Sequence, residues 1–300
     1  MKSRHSKPPR PRQQNLLFGL LLLPALLAPR FAGAQSLDAV PDCKALTGPA
    51  QTQAQALFKV LHPYDGCDQT FSACLSQKPP HPIVLRLAAD VCRKVRNGKT
   101  KEDIERSLAR RAQSALPMGK PAQFALDEAT ALGPAGAPVT VVIYACARCP
   151  FCKHFVLGIQ REVTQGALKD KVRLYFRPYP LKDHPGSVEG GLAMLSAAKL
   201  GSFWPFVTKV YENFDNFDSK RLPDWAAAVG MERAAFEGHY ADQATRAALV
   251  ASKQEGVRNK VTSTPTVYIN GRKYVYELNV NAVVDVITEE LERAASRGRK

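Results

Sequence analysis

The chain has 300 residues, 45% of them hydrophobic, enough for one or two globular domains. Its formal charge is +15, but six basic residues (Lys2, Arg4, Lys7, Arg10, Arg12 and Arg30) fall in the first 34 positions, and without them the charge is +9. The remaining charge is spread along the chain with no aromatic-interleaved basic cluster, which excludes nucleic acid from the expected partners and leaves only unspecific attraction to acidic surfaces or unfolded chains.

Residues 1–34 read as a signal peptide. Met1–Asn15 is basic without an acid, Leu16–Ala28 is an apolar run broken by Pro24, and Ala32-Gly33-Ala34 precedes Gln35 as a small-residue cleavage site. The run is short for a membrane span, and an uncleaved anchor is the alternative, with Arg30 close to the cut in its favour. No later segment is long and apolar enough to span, so no membrane span is expected after leader removal. The expectation is a periplasmic or otherwise exported protein. In an oxidising compartment the seven cysteines are to be read first as disulfides.

Residues 35–118 read as a small helical domain. Ala54, Leu57, Phe58 and Leu61 recur at helical spacing, as do Val84, Leu87, Ala88, Val91, Cys92 and Val95. Asn97-Gly98 stops the second helix; Thr100 caps a third, with Asp103 three residues on and Ile104 and Leu108 on one face. So small a core benefits from covalent staples, and Cys43, Cys67, Cys74 and Cys92 supply two. If Cys67 and Cys74 share one helix they lie about 10.5 Å apart along its axis, out of disulfide reach. Gly66 reopens the local pair if Cys67 precedes the helix. A relay of electrons to a second dithiol is the functional alternative. The run from Asn97 to Arg111 is similar to the helical hairpin of CcmH-type cytochrome c maturation reductases, although the Leu-Arg-Cys-x-x-Cys motif of that family is missing.

Turn-rich segments at 117–121 and 133–138 open the remainder, residues 119–300. Val139–Ala145 predicts a strand, directly followed by Cys146-Ala-Arg148-Cys149-Pro150-Phe151-Cys152-Lys153-His154. Two cysteines at C-x-x-C spacing entering a helix form a reactive dithiol, because the helix N-terminus offers unpaired N–H groups and partial positive charge to a thiolate. Val172–Phe176 is a second strand. The pattern from Ser187 to about Val257 is helical, with one stripe of Phe203, Phe206, Val207, Val210, Tyr211 and Phe214 and another beginning Leu222, Trp225 and Val229. Thr266–Ile269, the turn Asn270-Gly271 and Lys273–Tyr276 predict a hairpin. Val283, Ile287 and Leu291 mark one face of a last helix.

The order of these elements resembles the thioredoxin superfamily, specifically its exported DsbA-like branch. Ala137-Pro-Val-Thr-Val-Val-Ile before Cys149-Pro-Phe-Cys152 is similar to the opening of that branch, and Val261-Thr-Ser-Thr264-Pro265-Thr-Val-Tyr-Ile-Asn270-Gly271 resembles its second signature. The resemblance, over roughly 133–297, implies an α/β thioredoxin fold with an inserted helical domain at about 187–257, preceded by the small cysteine-bearing helical domain. It implies that Cys149 is the nucleophile, Cys152 the resolving cysteine and Pro265 a cis-proline, with Thr264, Pro150 and Phe151 meeting the client.

The expected function is thiol–disulfide exchange through Cys149 and Cys152, donating disulfides to exported client proteins, with a redox partner recycling the site and no cofactor. Arg148 and His154, and to a lesser degree Lys153, would add positive charge near the thiolate. Absence of a histidine between the cysteines keeps a reductase or isomerase, including one in cytochrome c maturation, as the alternative. A non-catalytic stapled protein, or zinc held by Cys146, Cys149, Cys152 and His154, is the reading from another class. Cys146 is the odd cysteine, expected as a buried small hydrophobe, a regulatory thiol or a partner for another cysteine. The remaining histidines, His184 among them, show no arrangement that suggests a site.

Overall fold

The apolar run at 139–145 becomes the centre of a sheet. In the computed structural model, which describes residues 37–116 and 120–297, five strands lie in the order β1-β3-β2-β4-β5. They are β1 (Ala131–Leu132), β2 (Val139–Ala145), β3 (Val172–Pro178), β4 (Thr266–Ile269) and β5 (Arg272–Lys273). β2 and β3 run parallel, from Val139 beside Val172 to Ala145 beside Pro178; the other pairings are antiparallel. The leader expected at 1–34 and the turn residues 117–119 lie outside the described residues.

β2 is buried on both faces, and its period of two divides it between two cores. Val139, Val141, Ile143 and Ala145 face the larger core, while Val142 and Tyr144 pack with Tyr175, Tyr179 and Tyr268 on the other side. Helix α6 (Pro150–Thr164), between β2 and β3, and the last helix α12 (Val280–Arg297) cover the first face. Phe155, Val156, Ile159 and Val163 of α6 join Val283, Val286 and Ile287 of α12 there.

Between β3 and β4 the chain inserts α7 (Ser187–Lys199), α8 (Phe203–Glu212), α9 (Leu222–Ala228), α10 (Arg233–Ala241) and α11 (Gln243–Arg258). The expected aromatic stripe lies on α8, where Phe203, Phe206, Val207, Val210 and Tyr211 are all buried in the same core as the sheet.

The preceding helices are α1 (Pro41–Lys44), α2 (Gly48–Val60), α3 (Phe71–Leu75), α4 (Pro82–Arg96) and α5 (Lys101–Ala115). They have a core of their own that includes every periodic apolar residue named above for this segment. α4 ends at Arg96 with Asn97 as its C-cap, Gly98 follows at a φ of +68° that suits only glycine without cost, and α5 begins with a reciprocal capping box between Thr100 and Asp103. Two disulfides staple this layer, Cys43–Cys92 and Cys67–Cys74. The local pair forms because α3 begins only at Phe71, so Cys67 sits in the loop after Gly66 rather than on the helix with Cys74.

Two elements differ from the expected ones. The second hairpin strand spans only Arg272–Lys273, and Ala131–Leu132 adds an edge strand to β3 that the turn-rich composition hid. The hairpin shortens because Tyr276 leaves the ladder for a buried charge cluster, where its hydroxyl donates to Asp90 Oδ2 at 2.7 Å. At the centre of that cluster Arg111, with no accessible surface, pairs with the equally buried Glu289 at 2.6 Å. Burial works against the Arg111 charge, but Glu289, Tyr64, Asp90 and Asp285 together outweigh it and hold the guanidinium charged. α4, α5 and α12 are thereby joined through charges as well as through the apolar cores.

Candidate active site

The chemistry begins where β2 ends. Cys149 is the N-cap of α6 and Pro150 occupies the first helical turn, a place where proline sacrifices no hydrogen bond. Only 2% of Cys149 is exposed, yet Phe151 beside it is 75% exposed. The Cys149 thiol donates to the Thr264 carbonyl at 3.4 Å, and the Thr264–Pro265 bond is cis. Cys152, one turn into α6, is fully buried, and its Sγ accepts the Cys146 amide at 3.5 Å.

These surroundings separate the two thiols. Cys149 is drawn down to about 5, chiefly by its hydrogen bond with the Cys152 side chain; burial opposes the shift, and the Cys152 and Phe151 amides add to it. Burial pushes Cys152 strongly upward, reinforced by the hydrogen bond and charge of Cys149. These shifts favour the thiolate at Cys149 and the protonated thiol at Cys152 behind it.

The basic neighbours are engaged elsewhere. The Arg148 guanidinium lies 4.6 Å from the rings of both Phe214 and Phe217 and donates to the Phe214 carbonyl. Lys153 pairs with Asp215 at 3.0 Å. His154 is exposed and lines a groove instead of facing the sulfurs. Among the described residues no group of three or more His, Cys, Asp or Glu side chains is placed to hold a metal ion.

That groove, about 580 Å³, passes beside the dithiol. Phe151 and His154 form one wall, Thr264 and Pro265 a second, and Leu278 and Val280 a third. Gly158 lets the third wall close in, since a Cβ there would lie 2.4 Å from Val280 Cγ2. Leu278 is 46% exposed, so with Phe151 it gives an open apolar strip next to a nucleophile.

The sequence reading did not find Leu278, Val280 or His184. An apolar residue in the polar stretch Glu277–Asn279 was the one available sign of the first. His184 reaches the site from the loop after β3, its Nδ1 3.4 Å from Cys146 Sγ. Tyr211 of α8 donates its hydroxyl to the Cys146 carbonyl at 3.2 Å.

Comparisons with known proteins agree with this architecture. The family model described as Thioredoxin matches residues 126–289. The solved structure of oxidised BdbD from Bacillus subtilis superposes with a TM-score of 0.50 at 21% identity, covering 58% of this chain and all of that one. Among curated proteins, a Na(+)/H(+) antiporter, NhaA 3 of Salinispora tropica, is 29% identical over 168 residues, covering 55% of this chain and 25% of the antiporter. The NhaA antiporter of Herminiimonas arsenicoxydans is 25% identical over 165 residues, covering 55% and 26%. The chain thus spans about a quarter of the length of these curated relatives, and no helix among its described residues is long and apolar enough to cross a membrane.

Proposed function

The chain belongs to the thioredoxin family, and from the geometry of its site we propose that it is a thiol–disulfide oxidoreductase acting on exported proteins. The observation that carries this reading is the asymmetric dithiol: Cys149, lowered to about 5 at a helix N-cap, backed by the buried, protonated Cys152.

In the oxidising direction a client thiolate attacks Cys149 Sγ of the Cys149–Cys152 disulfide. The client–Cys149 bond forms as the Cys149–Cys152 bond breaks, and Cys152 leaves as a thiolate that takes a proton. A second client thiolate then attacks the client sulfur of the mixed disulfide, the client disulfide forms, and Cys149 leaves as its stable thiolate. Two electrons pass from client to enzyme. In reverse, Cys149 attacks a client disulfide and Cys152 resolves the adduct.

A good leaving thiolate at Cys149 favours the first direction, because stabilising the reduced form makes the disulfide the stronger oxidant. The apolar strip of Phe151, Pro265 and Leu278 would hold an extended client segment beside the sulfur. The two disulfides of the helical layer support an oxidising compartment, periplasmic or otherwise extracytoplasmic. A redox partner would reoxidise the dithiol after each turnover.

The test is the reduction potential of Cys149–Cys152 in the mature protein, equilibrated in glutathione buffers, acid-quenched, alkylated and mapped by peptide mass. A value toward about −120 mV is the expected result for a disulfide donor, whereas a value near about −270 mV would reverse the direction.

A further inference from the structure

Cys146 is 1% exposed and plays no part in the exchange just described. Its sulfur does not behave as a plain apolar filler. It accepts the Arg148 amide at 3.4 Å and meets His184 Nδ1 at the same distance. The Cys149 amide donates to the Cys146 carbonyl at 3.2 Å, closing a turn over Cys146-Ala-Arg-Cys149. A turn so closed holds its first and last Cα atoms within about 7 Å, which overlaps the separation a disulfide spans. The turn is braced from outside by α7, since a Cβ at Gly190 would stand 2.5 Å from Ala147 Cβ. Cys149 is therefore shared by two C-x-x-C pairs, one running back to Cys146 and one forward to Cys152.

We propose that Cys146 is a second resolving thiol of the same active site, able to displace a client from Cys149 by forming a Cys146–Cys149 disulfide. This rests on the oxidoreductase reading above. Cys146 Sγ attacks Cys149 Sγ in the client–Cys149 mixed disulfide; the Cys146–Cys149 bond forms, the client–Cys149 bond breaks, and the client leaves as a thiolate. The Cys146 proton passes to His184 Nδ1 and from there to solvent or to the departing thiolate. Counted from the client disulfide that Cys149 first attacked, the client is reduced by two electrons and the Cys146, Cys149 pair is oxidised by two, with no outside reagent.

Burial raises the Cys146 thiol, so it waits as the neutral form until a base removes its proton. His184, half-buried at the end of its loop, connects that proton to solvent. Among the described residues the groups acting on Cys152 are the Cys146 amide, Cys149, the Thr264 side chain and Tyr211, none of them an imidazole. The two resolving thiols thus differ in how each loses its proton.

The experiment uses full-length mature protein carrying Cys152→Ser, loaded on Cys149 with a thionitrobenzoate mixed disulfide and freed of excess reagent. Release of the coloured thiolate, with mass mapping of a Cys146–Cys149 peptide, is the expected result. Cys146→Ser/Cys152→Ser should keep the adduct, and near-native circular dichroism of both variants excludes a folding defect as the cause. An adduct as long-lived in Cys152→Ser as in the double variant would overturn the role of Cys146. No adduct on Cys149 in either variant would overturn the oxidoreductase reading itself, and this one with it.

Discussion

The Cys149 thiol lies 3.4 Å from the Thr264 carbonyl, across 115 residues of sequence. This contact sets the end of the C-x-x-C helix against the loop that precedes β4. It places the Cys149 sulfur beside the apolar groove lined by Phe151, Pro265 and Leu278.

Replacing Cys149 with Ser should abolish turnover of any dithiol or disulfide client while leaving Cys43–Cys92 and Cys67–Cys74 formed. Activity measured by client oxidation and by insulin reduction decides this. Turnover retained in either assay would refute the assignment.

The thiolate should be visible in its pH dependence. Cys149 falls from an ordinary value of 9.0 to about 5 in the reduced fold. A group lowered on folding stabilises the native state fully above its unfolded value, progressively less as pH falls, and not at all below about pH 5. Iodoacetamide labelling of Cys149 should thus be half-maximal near pH 5. The stability advantage of reduced protein over Cys149→Ser should shrink as pH is lowered from about 9 to about 5. A labelling midpoint near 9 would contradict the geometry.

Phe151→Ser should weaken binding of apolar client peptides without moving the labelling midpoint. Loss of a ring that becomes buried only on binding should cost about 1–2 kcal/mol, roughly tenfold in KM, with little change in kcat. An unchanged KM for peptides with and without aromatic residues would remove Phe151 from the client surface.

Arg111→Met leaves Glu289 buried opposite an apolar side chain. Both partners have no accessible surface, and removing one charge of such a pair costs about 3–5 kcal/mol. Urea unfolding should show this loss. A variant as stable as the parent would mean that the Tyr64 hydroxyl at 2.5 Å and Arg293 at 3.6 Å suffice to hold Glu289.

The two staples should differ. Cys43–Cys92 closes 49 residues and Cys67–Cys74 only 7. On chain entropy alone, removing the first should destabilise the protein by about 1–2 kcal/mol more than removing the second. Paired Cys→Ala variants compared in urea under non-reducing conditions measure it.

Much of the fold was legible because it depends on neighbours along the chain. Val139–Ala145 and Thr266–Ile269 have the strand limits their composition predicts, and Thr100 caps α5 with Asp103. The Tyr274–Tyr276 segment was misread as strand since its apolar alternation is equally that of a segment whose Tyr276 turns to Asp90. Cys67 and Cys74 remained ambiguous because the start of α3 decides whether they can meet, and the sign of that start, the Thr70 cap, did not enter the reading of the spacing.

Residues adjacent along the chain suffice to mark the Cys149, Cys152 pair: C-x-x-C spacing, a proline in the first turn and an apolar strand before it are local features, and a helix N-terminus stabilises a thiolate wherever the fold places it. What surrounds that pair depends on contacts between distant parts of the chain. His184 reaches Cys146 across 38 residues, Arg111 reaches Glu289 across 178, and Thr264 reaches Cys149 across 115. Such contacts follow from how strands and helices pack, because no periodicity or spacing links residues that the chain brings together only after it has folded.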